Sequence, residues 1–162
     1  MTALPLPEVP PEVLAQVQSL VTSFVPCRKE ALEVNGAWQI GYDHTRTARG
    51  GAQVQEAEAL QLLQEDISRA HQLVTGLLKR DSDGRLQVHP QQLAALVSLA
   101  LDIGENNFRQ STVLHRTNAR RFLEAAAEFL KWSHRGDGKV LRILSRRRMT
   151  EANLYCGFPA AR

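Results

Sequence analysis

Apolar positions along this chain fall into helical stripes, interrupted by one short stretch that alternates instead. Val13, Val17, Leu20, Val21 and Phe24 recur at three- and four-residue spacing behind Pro10-Pro11, where proline suits a first turn, and ahead of Pro26, which ends the helix. The stripe runs to Phe24, so the Phe24 ring is expected to be largely buried. From about residue 55 to residue 79, Ala59, Leu60, Leu63, Ile67, Ala70, Val74 and Leu77 keep the helical period for roughly seven turns, long enough to join two lobes. Asp81 to Gly84 is a turn cluster. A helix is then predicted from near Pro90, with Leu93, Leu96, Val97, Ala100 and Leu101 on one side and Gly104 as its stop. A short helix over Thr112 to Arg116 follows, and Asn118 is expected to N-cap the next one, which carries Phe122, Ala125, Ala126, Phe129 and Leu130. Gly136-Asp137-Gly138 separates it from a last helix over about 141–155.

The exception is Asn35 to Thr47, NGAWQIGYDHTRT. Asn-Gly is the strongest short signal for a tight hairpin turn, and Trp38, Ile40 and Tyr42 then alternate with small or polar residues. The stretch also gathers a Trp, a Tyr, an Asp, a His and two Thr, the mixture expected at the wall of a polar cleft. Nothing comparable occurs elsewhere in the chain.

Composition narrows the chemistry. A chain of 162 residues that is 43% hydrophobic fits one domain that buries its own core without staples. Its only cysteines, Cys27 and Cys156, read as isolated thiols that could pair only in an oxidising compartment. The five His are scattered without Cys or carboxylate at ligand spacing, so neither metal nor cofactor is expected. The serines lack a nucleophile motif, and the Gly pairs are turns rather than phosphate loops. A net charge of +3 suits an acidic polymer, while Arg120-Arg121 and Arg146-Arg147-Arg148 read as solvated helix faces, so no nucleic acid is expected. The Pro-rich lead MTALPLPEVPPEV is not a signal peptide, and no stretch is long enough to span a membrane. Synthesis in the cytoplasm is expected, with delivery to the cell wall by a virion, a holin lesion or a non-classical exporter.

The alternating stretch also carries a resemblance. Gly36 to Thr45, GAWQIGYDHT, resembles the G-x-W-T-I-G-Y-G-H-T segment of the phage-type lysozymes, which hydrolyse bacterial peptidoglycan. Leu96-Val97-Ser98 with Asp102-Ile103-Gly104 and Asn107-Phe108 is similar to the family's A-L-V-S-F-x-F-N-I-G-x-x-x-F helix, and Arg147-Arg148 with Glu151, Leu154 and Tyr155 to its R-R-x-x-E-x-x-L-F end. The resemblance implies an α+β, mostly α, lysozyme-like fold: a lobe of N-terminal helix and hairpin over about 10–54, a connecting helix over about 55–79, and a helical lobe over about 80–156.

It also implies where the chemistry would lie. Glycoside hydrolysis needs a carboxylic acid to protonate the leaving oxygen and a second group to manage the oxocarbenium charge or the water. In the family these fall in E-x8-D-x5-T, which lands here on Phe24, Glu33 and Gln39, so the acid's place holds a phenyl ring. The expected function is that of a catalytically degenerate relative that binds peptidoglycan or another glycan, or serves as a component of a phage-like or secretion assembly with protein partners. The alternative is an active muramidase that recruits Glu33 or Glu30. Gln39, Tyr42, Asp43, Asp102 and Asn107 are the expected substrate contacts, with Asp43 adding negative charge that disfavours an anionic glycan. Trp38 is expected to be structural. The family's L-L-x-x-D pattern falls on Leu62 to Asp66 and implies that Asp66 clamps His44, a structural role for both.

Overall fold

A computed structural model describes residues 8–134 and 136–157. Helix α1 (Pro11–Phe24) starts on its proline and buries Val13, Val17, Leu20 and Val21. A hairpin follows, β1 (Arg28–Val34) and β2 (Ala37–Gly41), paired antiparallel with Glu33 opposite Trp38 and Val34 opposite Ala37. Asn35 and Gly36 both take positive φ, 53° and 81°, as the two-residue turn between right-twisted strands requires. The other edge of β1 is covered by residues 52–54, through Ala31 N–H to the Ala52 carbonyl and Val54 N–H to that of Lys29, each at 2.9 Å. Trp38 lies against Gly50, where a Cβ would stand 2.9 Å from the indole.

The hairpin is fixed to the long helix α2 (Glu56–Leu77) where Gly41 meets Ala59: a Cβ on Gly41 would lie 3.1 Å from that of Ala59, and its φ is 61°. A tight turn then returns the chain, with Ile40 and His44 exchanging backbone hydrogen bonds at 2.9 and 3.0 Å. Asp43 sits in this turn at φ 61°, a conformation Asp tolerates better than most residues, and here it replaces the Gly of the family motif.

The helical lobe is built around α3 (Pro90–Ile103), which packs on α1, α2 and α7 (Arg142–Tyr155). Every residue from Gln92 to Ala100 is buried, so α3 has almost no solvent face. Although the sequence groups α1 with the hairpin, its buried valines join this core. Gly104, at φ 82°, ends α3 but does not end helical structure: α4 (Glu105–Gln110) follows at once and buries Phe108, an element the sequence reading missed. Then come α5 (Thr112–Asn118), capped by the Ser111 hydroxyl, α6 (Phe122–Glu128), a 3-10 turn (Phe129–Trp132) and α7.

Asn118 corrects an expectation. It closes α5 instead of capping α6, whose N-cap is Arg121, and its side chain reaches back to the end of α2, accepting from Lys79 N–H at 2.8 Å and donating to the Leu77 carbonyl at 3.0 Å. Three residues of irregular chain separate α5 from α6, more than one cap can bridge. Cys27 and Cys156 are both free thiols.

Candidate functional site

A cleft of about 500 Å³ lies between the hairpin side and the helical lobe, walled by Tyr42, Asp43, Thr45 and Arg46 on one side, Asp66 and Arg69 of α2 at the back, and Asp102, Glu105 and Arg147 opposite. A second cavity of about 370 Å³ shares Val25, Asp43, Asp102 and Arg147 with it and extends to Phe24, Arg28, Ile143 and Leu144. Together they form one groove past the end of α1.

The hairpin wall is held by His44, which is 3% exposed. Its Nδ1 lies 2.8 Å from Asp66 Oδ2, and its Nε2 lies 2.8 Å from the Thr47 hydroxyl and 3.2 Å from the Thr47 backbone nitrogen. The ring thus ties α2 to the loop after the hairpin, joining Asp66 through Nδ1 and Thr47 through Nε2. Burial pushes the Asp66 carboxyl above its ordinary value, against the opposing pull of His44 and, more weakly, of Arg46. Burial, with Cys27 and Glu56 nearby, likewise pushes the Tyr42 phenol up, so it stays a hydrogen-bond donor at neutral pH.

The opposite wall rests on a buried ionic network. Glu151, fully buried, accepts from Ser98 Oγ at 2.6 Å, from Arg147 Nε at 3.2 Å and from Arg148. Arg148 also donates to the Trp132 carbonyl at 3.0 Å and to Asp102, and Arg147 Nη1 stands 3.7 Å from Asp102 Oδ1. Such a network costs desolvation unless every member is satisfied, and here each acid faces a guanidinium.

The family model for phage lysozyme matches residues 22–151, most of the chain. This chain belongs to the phage lysozyme family. Among curated relatives, it is 36% identical over 141 residues to an endolysin of Bacillus phage B103, covering 85% of this chain and 51% of that protein. It is 33% identical over 123 residues to an endolysin of Acyrthosiphon pisum secondary endosymbiont phage 1, covering 74% of this chain and 80% of the relative. The chain thus spans about half the length of the Bacillus phage protein. Among solved structures, the muramidase domain of SpmX from Asticaccaulis excentricus superposes with a TM-score of 0.77 at 36% identity, covering 87% of this chain and 94% of that one. The fold is accordingly lysozyme-like, mostly helical with a small hairpin lobe.

Within this family member, the residues singled out from the sequence separate into two groups. Tyr42, Asp43, Asp66 and Asp102 line the groove. Glu30, Glu33, Gln39 and Asn107 do not line it: Glu30 and Glu33 are exposed on β1, Gln39 is half-buried in β2, and Asn107 donates its amide to the Ile103 carbonyl at 2.8 Å. Trp38 serves the hairpin, over Gly50. Phe24 is the second correction. It is half-buried and stands outside the core cluster, because α1 runs out at the groove and its last apolar position meets the cavity instead of a packing partner. The sequence reading overlooked Arg28, Arg46 and Arg69. Arg69 could have been found, since it follows Asp66 by three positions and so shares its helix face.

Proposed function

We propose that this chain works on peptidoglycan, seating a glycan strand in the groove between the hairpin and the helical lobe. The observation that carries this is the groove itself, in a member of a muramidase family: it is open and long, and it is walled by a tyrosine, a threonine and several charged groups that can hydrogen-bond sugar hydroxyls and amides. Two chemical outcomes follow from one binding mode. Phe24 at the end of α1 leaves no carboxyl where the family's general acid stands, and this supports binding without cleavage.

Cleavage is the second reading, and it has its own support, since the curated relatives are named endolysins. Glu33 and Glu30 lie off the groove, so a relocated acid would come from its wall. Asp43 stands there, as does Asp66, whose carboxyl holds its proton more tightly than an ordinary one. One experiment separates the readings: cosedimentation with purified sacculi beside release of reducing ends from the same sacculi. Binding without release supports a strand-holding protein. Release that disappears in Asp43→Asn or Asp66→Asn supports a muramidase. Absence of both binding and release refutes the proposal.

A further inference from the structure

The groove looks acidic by count, but most of its acids are already paired. Asp43 faces Arg28 at 3.9 Å, Glu105 is held by Arg109 at 2.7 Å, and Asp102 is shared between Arg147 and Arg148, whose other partner is Glu151. Asp66 alone has no guanidinium within ion-pair distance, being held by the His44 ring at 2.8 Å. Against that single carboxyl stand two guanidinium groups on the same cleft, Arg46 after the hairpin and Arg69 on α2. Both are exposed, and neither has a salt bridge or a side-chain hydrogen bond among the described residues. Arg46 is close enough to pull on the Asp66 proton, yet it does not come within ion-pair distance. At one place, where the hairpin loop and α2 both line the groove, two guanidinium groups are thus left without an ion-pair partner among the described residues, with Glu65 near Asp66 but outside the lining.

From this we infer that Arg46 and Arg69 form an anion subsite that reads carboxylates carried by the strand, so that a carboxylate-bearing glycan is preferred over a neutral one. A guanidinium presents a planar fork of donors matched to a carboxylate, and two forks on facing elements can hold a side group while the sugar backbone runs along the groove. Arg28, opposite Asp43, offsets the negative charge that Asp43 brings to the path, so Asp43 does not repel such a strand as the sequence alone suggested. The inference rests on the glycan-strand reading above. It adds which part of the polymer is recognised, and by which residues.

The test uses the full chain and three preparations: native sacculi, the soluble glycan strands that an amidase releases from them, whose only carboxylates are lactyl, and sacculi capped with carbodiimide so that no carboxylates remain. Binding is read by cosedimentation for the sacculi and by titration for the strands. Wild type is expected to bind capped sacculi roughly tenfold more weakly than native ones, with a difference that shrinks at high salt. Arg46→Gln/Arg69→Gln is expected to bind native sacculi as weakly as wild type binds capped ones, and to ignore capping. Its melting temperature should match wild type, because neither side chain has a partner to lose. Arg49→Gln, on the same loop but off the cleft, should keep wild-type binding. If amidase-released strands bind as tightly as native sacculi, the subsite takes any carboxylate on the strand. If they bind as weakly as capped sacculi, it reads the stem-peptide carboxylates alone, since the lactyl carboxyl of native material is tied up in the amide to the peptide. Equal binding of native and capped sacculi by wild type, or an unaltered double variant, overturns the subsite while leaving strand binding intact. No binding to any preparation overturns both.

Discussion

Replacing Phe24 with Glu puts a carboxyl where the resemblance to the family's E-x8-D-x5-T segment expects one, and the structure sets the cost of doing so. A fully buried phenylalanine cut to alanine costs about 3 to 5 kcal/mol. Phe24 is half-buried at the groove and outside the core cluster, so roughly half of that, about 2 kcal/mol, is the expected loss for Phe24→Ala and for Phe24→Glu. The glutamate would not be stranded, because Arg28 and Arg147 line the same cavity. For a domain of this size about 2 kcal/mol lowers the melting temperature by roughly 4 to 8 °C. Calorimetry should thus show a cooperative transition in the Phe24→Glu variant, modestly shifted. In the same variant, reducing-end release from sacculi should rise by at least about a hundredfold, the lower range for a positioned general acid. A loss near 5 kcal/mol would show that the ring is a core residue after all. A folded variant no more lytic than wild type would show that the end of α1 no longer faces the scissile bond.

Other expectations follow from the buried polar groups. Asp66 has a raised folded pKa, so its contribution to stability is fully present below the unfolded value and is lost as pH rises through the folded one. Urea midpoints of Asp66→Asn should therefore gain on wild type as pH climbs out of the carboxylate range, and a constant gap would refute this. Burial pushes the Tyr155 phenol up to about 12 from 10.0, against the lowering pull of its hydrogen bond to Thr117, so about 3 kcal/mol of stability should be lost between those pH values in wild type and kept in Tyr155→Phe, as followed by alkaline denaturation. Glu128 is lowered by its hydrogen bonds to Lys131 and Thr112, so its contribution is present above the unfolded carboxylate value and fades as pH falls through the folded one. Glu128→Gln should flatten that acid limb. Glu151→Gln should cost about 3 to 5 kcal/mol in denaturant titration, because it leaves Arg147 and Arg148 buried with one acid between them.

Local signals carried the elements well. Asn35-Gly36 is a tight turn because few other pairs tolerate two positive φ values, α1, α2 and α3 fall where periodicity puts them, and α7 falls after the Gly136–Gly138 turn as expected. The misses lie where a residue's environment comes from elsewhere in the chain. Gly104 stops one helix while starting another, which composition alone does not distinguish from a loop. Asn118 has capping chemistry, but its partners are 39 and 41 residues away. Phe24 keeps the period of its stripe to the last turn, and only the position of the hairpin reveals that the stripe there faces a cavity. The groove itself was legible just where the family motifs cross it, at Tyr42, Asp43, Asp66 and Asp102. Arg46 and Arg69 are single exposed residues, whose meaning depends on which acids are already paired.

Asn118 also bears on how the groove can open. The long helix α2 is capped within its own first turn, Glu58 accepting the Gln55 N–H at 2.8 Å; the hairpin is seated on its Ala59 and tied to its Asp66, and Asn118 of α5 holds its far end. A rod tied to its neighbours at Ala59, Asp66 and Leu77 has its freedom concentrated between those ties. Widening the groove to admit a thick polymer must then be taken up by flexure along α2 between Asp66 and Leu77, or by the short Val25–Cys27 link after α1. The stiffness of one helix, more than the freedom of any loop, would set how readily a strand threads in.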